Sequence, residues 1–133
     1  MKLKQKSEFN ITAAENLVSL SLYAPSIHCS YYACFQLMKY ALREFEGISY
    51  DDIDKVVSTS TFSEHSYIHK KIQDSIYGAD KREYAEFKRK LKDLYDFRIR
   101  SDYKNEEILL DPANRALRFS KELISYMKEN FHV

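Results

Sequence analysis

The stretch from Ile27 to Phe45 constrains this chain most, because its apolar residues recur at helical spacing on two separate sides. Ile27, Tyr31, Cys34, Phe35, Met38, Ala41, Leu42 and Phe45 form one unbroken stripe, while Ala33, Leu37 and Tyr40 line another. A helix with two apolar sides requires two packing partners. The stretch is therefore expected to be the central helix of a bundle or the seam of a dimer. Only two glycines and two prolines occur in 133 residues, too few of the usual turn formers for many short strands. An all-α chain follows, and its length suits one domain spanning 1–133 rather than two with separate cores.

The remaining helices are marked by local signals. A first helix is expected from about Ser7 to Leu22, with Thr12-x-x-Glu15 as an alternative capping box that would start it later. Pro25 suits the first turn of the second helix, where its missing N–H costs nothing, and Gly47 suits its end. Residues 46–60 read as a polar joint with at most a short helical turn at Asp51–Val57. Thr61-x-x-Glu64 reads as a capping box for a third helix ending near Gly78. A fourth helix runs from about Asp80 to Ser101. A polar break at Lys104–Glu107 then precedes a last helix whose N-cap and first-turn proline would be Asp111 and Pro112. The expected fold is an up-and-down bundle of about five helices.

Composition excludes several function classes. No stretch approaches the roughly 20 apolar residues that span a bilayer, and the N-terminus leads into polar sequence, so a cytoplasmic protein without membrane partners is expected. Cys29 and Cys34 lie five apart on one helix and point about 140° from each other, which argues against a disulfide between them and for a buried thiol at Cys34. The net charge of +1 gives no global argument for nucleic acid. Residues 81–104, however, carry nine Lys or Arg against five acids, so either a solvated helix face or a phosphate-binding surface is expected there.

Arg98 stands out because it follows Leu91 by seven positions and Leu94 by four, so a permanent charge continues a stripe that should be buried. An unpaired buried guanidinium is prohibitively costly. Arg98 must pair with Asp102 one turn on, reach solvent, or face a cleft or subunit interface where its fork can hold a phosphate. His65 and His69 form a His-x-x-x-His pair with no third ligand in sight, so no metal is expected, with His65 packed and His69 at the surface. His28 belongs to no motif of its own.

The segment Leu94-Tyr-Asp-Phe-Arg98-Ile-Arg-Ser-Asp102-Tyr103 resembles the Arg-x-x-Ala-Asp-Tyr signature of one branch of the HEPN superfamily. Ser30-Tyr31-Tyr32-Ala33-Cys34-Phe35 resembles the Ala-Tyr-Tyr-Ala-x-Phe motif on the second helix of that branch, and the likeness extends loosely from Ala13 to Phe131. The resemblance implies a helical bundle associated with RNA cleavage and toxin–antitoxin systems, often encoded beside a minimal nucleotidyltransferase. In nuclease members it implies a metal-independent, cofactor-free ribonuclease whose Arg and His, four to six residues apart, meet across a homodimer. Here Arg98 occupies the arginine position, but the histidine position holds Tyr103. A phenol, with an ordinary pKa near 10, is a poor base at neutral pH where an imidazole would serve.

The expectation is a homodimeric domain that binds RNA or a nucleotide-bearing partner, with weak or no catalysis. Arg98, Asp102 and Tyr103 are the candidate catalytic residues, and Arg98, Arg100 and Lys104 the candidate nucleic-acid contacts. An RNase toxin acting as a dimer and an interaction subunit for a nucleotidyltransferase are the alternatives. In a continuous helix Tyr103 points about 140° away from Arg98, so the two are expected to meet only if the helix ends between them or a second subunit brings its own copy.

Overall fold

The computed structural model describes residues 2–61, 63–78 and 80–133. Among these there are six helices and no strand: α1 (Lys2–Ser19), α2 (Tyr23–Glu46), α3 (Tyr50–Thr59), α4 (Glu64–Ile76), α5 (Lys81–Tyr103) and α6 (Leu110–Phe131). No helix among the described residues is long and apolar enough to cross a membrane.

The two apolar sides of α2 decide the architecture. Ile27, Tyr31, Cys34, Met38 and Leu42 are buried on one side and Ala33 and Leu37 on the other, and α1, α4, α5 and α6 all pack against this one helix. A second chain is therefore not needed to cover Leu37, because α1 of the same chain lies along α2. Close approach on both flanks is permitted by serines whose hydroxyls donate to a neighbouring helix's carbonyl. Ser7 Oγ donates to the Ala33 carbonyl at 2.6 Å, Ser26 Oγ to that of Ala14 at 2.9 Å, and Ser120 Oγ to that of Ser30 at 2.6 Å. Each of these three hydroxyls satisfies itself on a carbonyl that also serves its own helix, whereas Ser30 Oγ on α2 is buried without a partner.

The helix boundaries show which local signals prevailed. Gly47 ends α2 in the left-handed conformation at φ 71°, and its amide and that of Ile48 both return to the Leu42 carbonyl. The expected joint at 46–60 instead contains a sixth helix. Ser49 caps α3 by accepting from the Asp52 amide, Asp51 and Asp52 favour its positive end, and Ile53 is driven into the core. The cap of α4 is Ser63, which accepts from the Ser66 amide, rather than Thr61. Asp80 caps α5 through the amides of Arg82 and Glu83. Asp111 lies inside the first turn of α6, where a carboxylate suits the helix dipole, and Leu109 precedes that helix without a side-chain cap. α1 begins at Lys2, so Thr12 and Glu15 fall in its interior and form no capping box.

Candidate functional site

Along α5, Phe87, Leu91 and Leu94 are buried in succession, and the next position in phase is Arg98, itself only 6% exposed. It is the one charged residue in the buried class among the described residues. Its cost is met by neighbours from two helices. Nε donates to Asp102 Oδ2 at 2.9 Å, and Nη2 donates to the hydroxyls of Tyr32 at 2.8 Å and Tyr103 at 3.1 Å. The guanidinium carbon lies 5.2 Å from the ring centres of Tyr32 and Tyr103 and 5.5 Å from that of Tyr31, within cation–π range.

Tyr103 is the last residue of α5, yet it reaches Arg98 within one chain and one continuous helix. The expectation that the five-residue step would keep them apart fails because both side chains are long enough to bend around the helix and meet at their tips. Tyr103 nevertheless remains 68% exposed, so beyond its contacts with Arg98 much of its ring is open to solvent.

Asp102 Oδ2 has a second partner, His28 Nδ1, also at 2.9 Å. The His28 ring packs 4.7 Å from that of Tyr32, one turn later on α2. Beneath this outer layer lies a second one. The Tyr31 hydroxyl is 2.6 Å from His65 Nδ1 and 2.9 Å from His69 Nε2, both on α4, and His65 stacks on Phe35 at 4.4 Å. Burial pushes the Tyr31 phenol far above its ordinary range, so its proton stays in place. Burial, and then the charge of Arg98, lower His65, while burial and the adjacent His65 bring His69 down to about 4. Both imidazoles are held neutral. His69 is therefore not the surface residue expected of it, because α2 and α4 close over it to seat it on Tyr31.

Arg98, Asp102 and Tyr103 come together, whereas Arg100 and Lys104 do not join them. Arg100 is half exposed and bonded to Glu106 at 2.7 Å, and Lys104 is exposed beyond the end of α5. Part of the basic stripe is paired where it stands, Arg89 with Glu86 and Asp93, Lys90 with Glu122, and Lys92 with Asp96, while Lys81, Arg82, Lys88 and Lys104 have no carboxylate partner among the described residues. A cleft of about 460 Å³ beside Phe87 is lined by Asp80, Glu83, Glu86 and Glu122 against Arg82 and Lys90. It lies on the order of 12 Å or more along α5 from Arg98, and its acidic lining does not suit a phosphate. Among the described residues no three of His, Cys, Asp and Glu are grouped to hold a metal ion.

Sequence reasoning did not assign roles to His28, Tyr31, Tyr32 or the His65–His69 pair in this site. The signal present was the tyrosine motif itself, since Tyr31 and Tyr32 point to the inner and outer layers in turn.

Neither the comparison with curated proteins nor that with solved structures gives a match. The family model described as the HEPN domain matches residues 1–130. With four helices packed around α2 and the arginine of α5 set against its tyrosine pair, the chain belongs to the HEPN domain family.

Proposed function

We propose that this HEPN domain binds RNA, or a nucleotide-bearing partner, by holding a phosphate on Arg98. One observation carries the reading. Nε and Nη2 of Arg98 are fixed by Asp102, Tyr32 and Tyr103, while Nη1 donates to none of the described residues, and no Arg98 nitrogen is both buried and unpartnered. Nη1 therefore meets solvent from a guanidinium whose orientation is already set, a preorganised donor for one phosphate oxygen. The exposed Tyr103 ring beside it offers a face on which a base can stack.

The pairing of Arg89, Lys90, Lys92 and Arg100 with carboxylates favours a short, local contact with one or two phosphates over an extended nucleic-acid track. That same economy of free positive charge supports a second reading, an interaction subunit for a minimal nucleotidyltransferase in a toxin–antitoxin pair. A homodimer in the cytoplasm belongs to both readings through the family likeness, not through α2. The gene beside this one separates them: a nucleotidyltransferase there favours the second.

The direct test is fluorescence anisotropy with a labelled single-stranded RNA and wild type, Arg98→Ala and Arg98→Lys. Both variants should lose at least tenfold in affinity, because lysine restores the charge but not the fork. Equal affinity of folded Arg98→Ala and wild type would rule the site out.

A further inference from the structure

We propose that His28, held by Asp102, is the proton acceptor for a ribose 2′-hydroxyl next to the phosphate on Arg98, so that one chain contains both halves of an RNA-cleaving site. This rests on the phosphate reading above and adds a reaction to it.

Three observations carry it. First, Asp102 Oδ2 lies 2.9 Å from both Arg98 Nε and His28 Nδ1, which places those two nitrogens no more than about 6 Å apart across a single oxygen. Second, a carboxylate only accepts hydrogen bonds, so the neutral His28 ring must carry its proton on Nδ1 and leave the Nε2 lone pair free. Nε2 has no partner among the described residues, and the side chain is 48% exposed, so that lone pair is accessible from solvent. Third, the ring is held on its flank by Tyr32, whose hydroxyl accepts a hydrogen bond from Arg98 Nη2, so base and phosphate donor are fixed to one framework. His65 and His69 cannot take this part, because both are committed to the Tyr31 hydroxyl beneath.

In the proposed step a phosphodiester oxygen sits on Arg98 Nη1 and the 2′-hydroxyl of the preceding ribose meets His28 Nε2. The 2′ O–H bond breaks with its proton passing to Nε2, the 2′-oxygen bonds to phosphorus, and the bond from phosphorus to the 5′-oxygen breaks. The leaving 5′-oxygen takes a proton from water, and His28 returns its proton to the hydroxide so formed. The products are a 2′,3′-cyclic phosphate and a 5′-hydroxyl, with no metal and no external oxidant or reductant. Asp102 is a positioning residue in this scheme. It sets the His28 tautomer and supports the imidazolium that forms.

The experiment uses the full chain and an end-labelled RNA whose single ribonucleotide lies within DNA, under single-turnover conditions, with RNA affinity measured beside the rate. His28→Ala and His28→Gln should each lower cleavage at least 100-fold while affinity stays within threefold. Added imidazole should restore part of the rate to His28→Ala only. Asp102→Asn should lower the rate without gaining from imidazole, and circular dichroism should show each variant folded. Binding by wild type with cleavage that is absent, or that His28→Ala leaves unchanged, would overturn the assignment of His28 alone. Failure of wild type to bind RNA would overturn the phosphate reading and this one together.

Discussion

The hydroxyl of Tyr31 lies 2.6 Å from Nδ1 of His65, and it has a single proton to give. With His69 Nε2 on its other side at 2.9 Å, one imidazole must receive that proton while the other donates its own N–H to the phenol oxygen. The ring that accepts must be neutral, and burial holds the other neutral as well, so the two take complementary tautomers. It forms the floor beneath Arg98, so its protonation state bears on the site as well as on the fold.

Acid should therefore destabilise the protein in a defined window. The folded pKa of His69 is lowered to about 4 by burial and by His65, below the ordinary imidazole value near 6.5, so the unfolded chain takes up protons first as pH falls. The stabilisation is complete above about pH 6.5 and is lost progressively down to about pH 4, amounting to about 3 kcal/mol. Burial and then Arg98 lower His65 as well, which adds in the same direction. Urea unfolding from pH 8 to pH 4 should show this slope, and His69→Gln should remove much of it. An unchanged slope in that variant would place the sensitivity elsewhere.

Leu37 distinguishes intrachain from interchain packing of α2. It is 1% exposed within a single chain, so Leu37→Ala should cost about 2–5 kcal/mol in stability. Light scattering at micromolar concentration should report twice the chain mass for wild type and variant alike. If the variant instead becomes monomeric while keeping its stability, α2 is the dimer seam after all.

RNA binding should depend only weakly on salt. Counterion release gives a log–log slope of about −0.7 per phosphate contacted on single strands. Of the basic residues in 81–104, Arg89, Lys90, Lys92 and Arg100 already have carboxylate partners. One or two contacts predict a slope shallower than about −1.5. A slope matching six or more phosphates would mean that those pairs open and the whole stripe engages RNA.

How much of this was readable in advance differs by residue. The depth of Arg98 followed from its phase with Leu91 and Leu94, and the central place of α2 from its two apolar sides. Helical period pointed to both without tertiary information, but it left open whether Arg98 had reached solvent and whether α2 was a bundle centre or a dimer seam. α3 was legible only as a short turn at Asp51–Val57, because Ile53 and Val57 are too few apolar positions to show a period and its cap at Ser49 is a single polar residue in a polar run. The partnership of His28 with Asp102 spans 74 positions and arises from the packing of α2 on α5, which no local pattern encodes. Likewise, the place of His69 was decided by a phenol from another helix.

Tyr103 should not be a base, and substitutions can separate the roles left to it. Lowering any phenol from about 10 to near neutrality would take about 4 kcal/mol of differential stabilisation. Its hydroxyl is one of two on Arg98 Nη2, so Tyr103→Phe leaves Tyr32 to hold that nitrogen and should change cleavage less than threefold. Its exposed ring is the larger contribution: Tyr103→Ala should weaken RNA binding about tenfold, in line with roughly 1–3 kcal/mol for one stacked base. Tyr103→His places a second imidazole beside Arg98 and should raise the cleavage rate above wild type. The measurement is a single-turnover rate and an affinity for each variant on the same RNA. Loss of cleavage in Tyr103→Phe at unchanged affinity would make the phenol a participant in the chemistry and His28 at most its assistant.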